Sequence, residues 1–239
     1  MTRPTPVARL ARAERVDQTA ARLPDDAPRR ILATRNAGWA KRLARLLGRG
    51  GVRPNQVSVA SVIVALVACG AYCLAPAVRP GLSAAALLVA AAAIQLRLLC
   101  NLLDGMLAVE GGLKTRTGDI YNDLPDRVAD VLILVGAGYS IRFLPGGAAL
   151  GWAAAVAAVF TAYVRLLGGS LGVTQHFIDP MAKQHRMFTL TLTTLLAAVE
   201  TLLGLPPRTM RIGLVVIVAG SVATAVRRTL RTAREVETR

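Results

Sequence analysis

The sequence predicts an all-α integral membrane protein, a bundle of six transmembrane helices preceded by an amphipathic helix at the membrane interface. Three observations carry that prediction. Apolar residues make up 54% of the 239, and mean hydropathy is +0.47, which is more than an ordinary soluble domain holds. They fall in six blocks of about 20 residues, the length that crosses a bilayer. Lysine and arginine are concentrated in the two terminal regions, with further ones in the connections after spans two and four, and few lie on the opposite side, the asymmetry that fixes membrane orientation.

Residues 1–35 are rich in Arg, Ala, Pro and Asp without a sustained period, and read as a mobile cytoplasmic arm. From Asn36, a residue suited to capping a helix start, Trp39, Leu43, Leu46 and Leu47 share one helical face. Lys41, Arg42, Arg45 and Arg49 share the other. The spacing predicts a helix over 36–48, lying apolar side down in the interface or packed against its own protein. Gly48, Gly50 and Gly51 end it. Arg53-Pro54-Asn55 then leads into spans at 56–77, 82–103, 118–144, 148–167, 187–205 and 210–226. The membrane domain covers 36–228, and 229–239 form a basic cytoplasmic tail.

Six crossings put both termini on one side of the membrane. Residues 1–53, the connections after spans two and four, and residues 227–239 carry 22 Lys/Arg, against four on the opposite side, Arg79, Arg142, Arg208 and Arg211. The positive-inside rule therefore places the termini in the cytoplasm of a cell inner or plasma membrane. A net charge of +15 could suit nucleic acid, but only 4% of residues are aromatic and the basic residues cluster at termini and loops. Anionic lipid headgroups are the simpler partner, and no nucleic-acid binding is expected. Cys69, Cys73 and Cys100 lie inside apolar blocks and read as reduced packing residues. No run of signal-peptide type occurs in the first 30 residues.

Chemistry concentrates between spans two and three. Arg97, Asn101 and Asp104 are spaced i, i+4, i+7 and share a helix face, as do Asn122 and Asp126 at i, i+4. A carboxylate at membrane depth is costly unless it meets a metal or a counter-charge. If the two faces meet, Asn101, Asp104, Asn122 and Asp126 converge as oxygen ligands, a set suited to a hard divalent ion shared with phosphate. Gly105, Ala108 and Gly118 leave room beside them. The alternative is that Asp104 and Asp126 pair with Arg97 and Arg127 and merely fix helix register. A second basic cluster, Lys183, His185 and Arg186 with Arg165, is read either as a phosphate site or as ordinary cytoplasmic positive charge. His176 and His185 tune polarity and do not ligate metal.

The stretch N-x2-D-G-x2-A-V-x8-G-x3-N-x3-D resembles the pattern D-x2-D-G-x2-A-R-x8-G-x3-D-x3-D of the CDP-alcohol phosphotransferases. Asp104, Gly105, Ala108, Gly118 and Asp126 match at the required spacings, and Asn101, Val109 and Asn122 depart. Pro54-Asn55 is similar to the family's T-P-N entry, and Tyr163-Val164-Arg165 to its Y-x-R. The likeness covers roughly 36–228.

It implies a membrane enzyme of phospholipid synthesis that transfers a phosphatidyl group from a CDP-linked donor such as CDP-diacylglycerol to a hydroxyl acceptor, releasing CMP. Asp126 would be the base. Asn101, Asp104, Asn122 and Asp126 would hold one or two Mg²⁺ or Mn²⁺ ions, and Gly105, Ala108 and Gly118 would line the nucleotide pocket. Arg165, Lys183 and Arg186 would bind the acceptor's phosphate, and the chain would form a homodimer. With two aspartates replaced by neutral amides, metal affinity should fall. Asp119 or Asp123 could restore a charge, and Arg97 could replace the missing arginine. The departures read as a divergent subgroup with a retuned site, or as a protein that binds a CDP-lipid without turnover.

Overall fold

A computed structural model of the chain describes residues 38–109, 117–173 and 180–238, excepting the side chains of Val109 and Asp119. The arm, Asn36, Lys114, Arg116 and His176 lie outside the described residues. Within them are seven α-helices and no strand. They are α1 (Gly38–Arg49), α2 (Pro54–Leu74, continued by a 3₁₀ turn Ala75–Ala77), α3 (Pro80–Val109), α4 (Gly118–Ser140), α5 (Gly147–Ser170), α6 (Lys183–Leu202) and α7 (Arg208–Glu237).

Local chemistry sets the ends. Pro54 and Pro80 open α2 and α3 with a residue whose missing N–H costs nothing in the first turn. The Gln56 side chain accepts a hydrogen bond from the Arg53 N–H at 2.9 Å, holding the start of α2. Between α4 and α5 the chain reverses through Gly146 at φ 74°, a left-handed conformation that glycine adopts without strain. The Glu200 carboxylate accepts from the Thr209 N–H at 3.2 Å and from its hydroxyl at 2.7 Å, capping the start of α7.

Helices α2 to α7 close a ring in the order α2, α3, α6, α7, α5, α4, and α1 packs on α3. The interior is built of small side chains, Ala65, Ala90, Ala129, Ala154 and Ala197 among them. Large apolar side chains such as Ile63, Leu88, Val156 and Val216 face outward. This is the inverse of a soluble core, and it suits helices that approach closely within lipid. At the α4–α5 crossing, a Cβ on Gly138 would lie 2.6 Å from the Gly151 Cα. The three cysteines are free and half-buried.

Four helices are long and apolar enough to cross a membrane, those at Pro54–Ala77, Pro80–Ala108, Gly147–Ser170 and Arg208–Glu237. The other two expected spans are helical as well, but α4 carries Asp119, Asp123, Asp126, Arg127 and Asp130, and α6 carries Lys183, Arg186 and Glu200. Those charges, not shortness, hold them below that apolar standard. Further differences concern boundaries, among them α3 running to Val109, past the expected 103. α4 stops at Ser140, short of the expected 144, and α7 runs on to Glu237 through what was expected to be a tail, because no Gly or Pro interrupts it. α1 turns Ala40 and Ala44 toward Leu103, Met106 and Leu107, while Trp39 and Leu46 stay exposed.

Candidate functional site

The polar residues of the ring gather at one end, where α2, α4 and α6 begin and α3, α5 and α7 finish. On α3, Arg97, Asn101 and Asp104 project from one face. Arg97 is fully buried. Its terminal nitrogen donates to Asp130 Oδ1 at 2.7 Å, to the Asp126 carbonyl at 3.1 Å and to Asp126 Oδ1 at 3.3 Å. The Asn101 amide donates to the same Asp126 Oδ1. Asp126 Oδ2 accepts from the Lys183 ammonium and, at 3.5 Å, from Arg127. Asp126 is thus held by donors from α3, α4 and α6.

Asp104 is placed differently. Only 4% exposed, it accepts from Ser58 Oγ on α2 at 2.7 Å through Oδ2, while its Oδ1 has no hydrogen-bond partner. Asn101 Oδ1, one helical turn away, has none either. A buried acceptor left unmade costs about 1–3 kcal/mol, and more when charged. Asp104 also lies within electrostatic reach of Asp126 and Lys183.

Deeper in the ring, Asp130 is 1% exposed and clamped between Arg97 and, at 3.2 Å, Arg186. Arg186 donates as well to Thr161 Oγ1 at 3.1 Å, and Arg228 to the Thr161 carbonyl at 2.9 Å, so α3 to α7 are tied by one polar network. At the rim, Arg165 donates to Asp123 Oδ1 at 3.0 Å.

The structure therefore brings together Asn101, Asp104, Asp126, Lys183 and Arg186. Asn122 is exposed on the turn before Asp126. Gly105 and Ala108 end α3 and Gly118 starts α4, all half-buried, on either side of residues 110–116, which lie outside the described residues. His185 is exposed. Arg97 and Arg127 do pair with Asp126, as the register alternative expects, whereas Asp104 meets a hydroxyl. Sequence reasoning missed Asp130, although it continues the i, i+4 series from Asn122 and Asp126. It also missed Ser58, which no local pattern marks.

Among the described residues no three His, Cys, Asp or Glu side chains are grouped to hold a metal. The donor set is nevertheless suited to one hard cation. Asn101 Oδ1 and Asp104 Oδ1 are unpartnered oxygens on one helix face, able to share a shell with water and phosphate. The oxygens of Asp126 are already engaged by cations and an amide.

Among solved structures, three crystal structures of Mycobacterium tuberculosis phosphatidylinositol phosphate synthase (PgsA1) resemble this chain. The complex with manganese and citrate has TM-score 0.67 at 20% identity, over 82% of this chain and 88% of that one. This chain has the fold of that synthase. The synthase with CDP-DAG bound gives TM-score 0.67 at 22% identity, over 84% of this chain and 95% of that one. Its apo form gives 0.64 at 22% identity, over 81% and 95%. No protein-family model and no curated protein matches the sequence.

Proposed function

We propose that the chain is a membrane enzyme of phospholipid synthesis, a CDP-alcohol phosphatidyltransferase that moves a phosphatidyl group from a CDP-linked lipid to a hydroxyl acceptor. The supporting observation is that Asp104, with an unpartnered buried oxygen, and Asp126 meet in one polar cluster between α3 and α4. They do so in a fold whose solved examples include one with CDP-DAG and one with manganese. In this reading six helices cross the membrane, α4 and α6 included, since Asp126 and Asp130 of α4 and Lys183 and Arg186 of α6 are paired within the ring. The site lies on the cytoplasmic side, with α1 at the interface and its basic residues near anionic headgroups.

The acceptor's hydroxyl oxygen attacks the phosphorus that carries the lipid, the P–O bond to CMP breaks, and CMP leaves with the bonding electrons. Asp126 takes the hydroxyl proton, for which Lys183 or Arg127 must yield its place on Oδ2. Asn101 and Asp104 would hold Mg²⁺ or Mn²⁺, with Asn122 of α4 a further oxygen donor. When bound, the ion neutralises charge on the diphosphate. Gly105, Ala108 and Gly118 would admit the cytidine. Arg165 and Lys183, whose side chains are 21% and 16% exposed beside Asp123 and Asp126, would contact an acceptor's phosphate, with Arg186 behind them.

Purified protein incubated with CDP-diacylglycerol, a panel of polyol, polyol-phosphate and amino-alcohol acceptors, and Mg²⁺ or Mn²⁺ should release CMP and form a new lipid visible by mass spectrometry. Asp126→Ala should reduce CMP release at least a hundredfold. No CMP with any acceptor and either ion would overturn the proposal. The engagement of both Asp126 oxygens favours a second reading, a non-catalytic CDP-lipid-binding protein. It predicts saturable CDP-diacylglycerol binding with no turnover.

A further inference from the structure

The two positions that depart from the four-carboxylate pattern, Asn101 and Asn122, are neutral, and Asp126 carries a positive charge of the chain's own. Lys183, the first residue of α6, places its ammonium on Asp126 Oδ2, within electrostatic reach of Asp104 and Asp130. An ammonium is a compact unit charge that gathers oxygens around itself, as a small hard cation does. Asp126 Oδ1 is meanwhile occupied by the Asn101 amide and by Arg97. A divalent ion approaching Asp126 would have to displace Lys183 and would then sit beside two guanidinium groups, those of Arg97 and Arg127.

On the facing side the balance is reversed. Asp104 is buried and its Oδ1 is unpartnered, as is Asn101 Oδ1, and no side-chain cation pairs with either oxygen among the described residues. Those two oxygens have no cation in contact with them, whereas Asp126 has Lys183 built onto it. We infer that the Lys183 ammonium occupies the cation position at Asp126, so that the chain binds a single divalent ion, on Asn101 Oδ1 and Asp104 Oδ1. This rests on the proposed function for what the ion and the ammonium serve, but not for how many ions bind.

The test is the number of Mn²⁺ ions bound per chain by the purified full-length protein, read from the loss of free-ion electron paramagnetic resonance signal, without substrate. The wild type should bind one. Lys183→Met should bind two, because the ammonium is gone from Asp126 Oδ2, and Lys183→Arg should return the count to one. Asp104→Asn should weaken the wild-type ion at least tenfold. Where Lys183→Met aggregates on size-exclusion chromatography, Lys183→Gln serves in its place. Two ions or none in the wild type, or an unchanged count in the charge-removing variant, would overturn the inference. A count that moves as expected in a protein that releases no CMP would sustain it while removing the transferase reading.

Discussion

Asp126 accepts from Arg97, Asn101, Arg127 and Lys183, while Asp104, three residues further along α3 from Asn101, has a hydroxyl and an open oxygen. The contrast separates side chains that hold the site together from those able to take a ligand. Arg97 belongs to the first group, being buried against Asp130 and Asp126. Arg97→Leu leaves two carboxylates short of a partner and should lower stability by about 3–5 kcal/mol. Thermal unfolding in detergent checks it against Arg165→Ala, which breaks a half-exposed pair with Asp123 and should cost no more than about 1 kcal/mol. Helical spacing made the shared face of Arg97, Asn101 and Asp104 legible, because periodicity is local. The partner of each was not, since Ser58 lies 46 residues from Asp104 and Arg186 lies 56 from Asp130. Asp123, a candidate for restoring charge near the ligands, is engaged by Arg165, an ion pair that a single sequence does not disclose.

Helices α4 and α5 meet through glycine. At Gly138 a methyl group would reach 2.6 Å from the Gly151 Cα, and at Gly151 it would reach 2.8 Å from the Leu134 carbonyl, so neither contact can be relieved by turning a side chain. Gly138→Ala should therefore cost about 1–3 kcal/mol, whereas Gly70→Ala, with nothing within 4 Å of the new carbon, should cost nothing. Unfolding temperatures of the two purified variants test the difference. The existence of all six long helices was readable from block length. Their ends were less so, because α3 extends to Val109 and α7 to Glu237 beyond the apolar blocks, where helix-forming polar residues continue the hydrogen-bond ladder.

A ring of six helices, three running each way, with an alanine-rich interior and leucine, valine and isoleucine spread over the outside is a protein whose solvent is lipid. With three crossings between them, α5, α6 and α7, the loop at Arg142 and the end of α7 at Arg234 should lie on opposite sides of the membrane. In a background with Cys69, Cys73 and Cys100 changed to alanine, a membrane-impermeant maleimide applied to intact cells should label Arg142→Cys and not Arg234→Cys. Labelling of both or of neither would contradict the orientation read from lysine and arginine. The motif departures at Asn101, Val109 and Asn122 lie where a family pattern is most informative, in keeping with a fold that superposes while sequence models find no match.

The mix of helix ends at the polar cluster has an electrical result. Three helices present their amino ends there and three their carboxyl ends, so peptide macrodipoles of roughly half an elementary charge apiece largely offset one another. Their reach also fades within a turn, and Arg97 and Asp130 lie about three turns from the ends of α3 and α4. The electrical balance of the cluster is therefore set by its own side chains, Asp104, Asp126, Asp130, Arg97, Arg186 and Lys183, and not by the backbone around them.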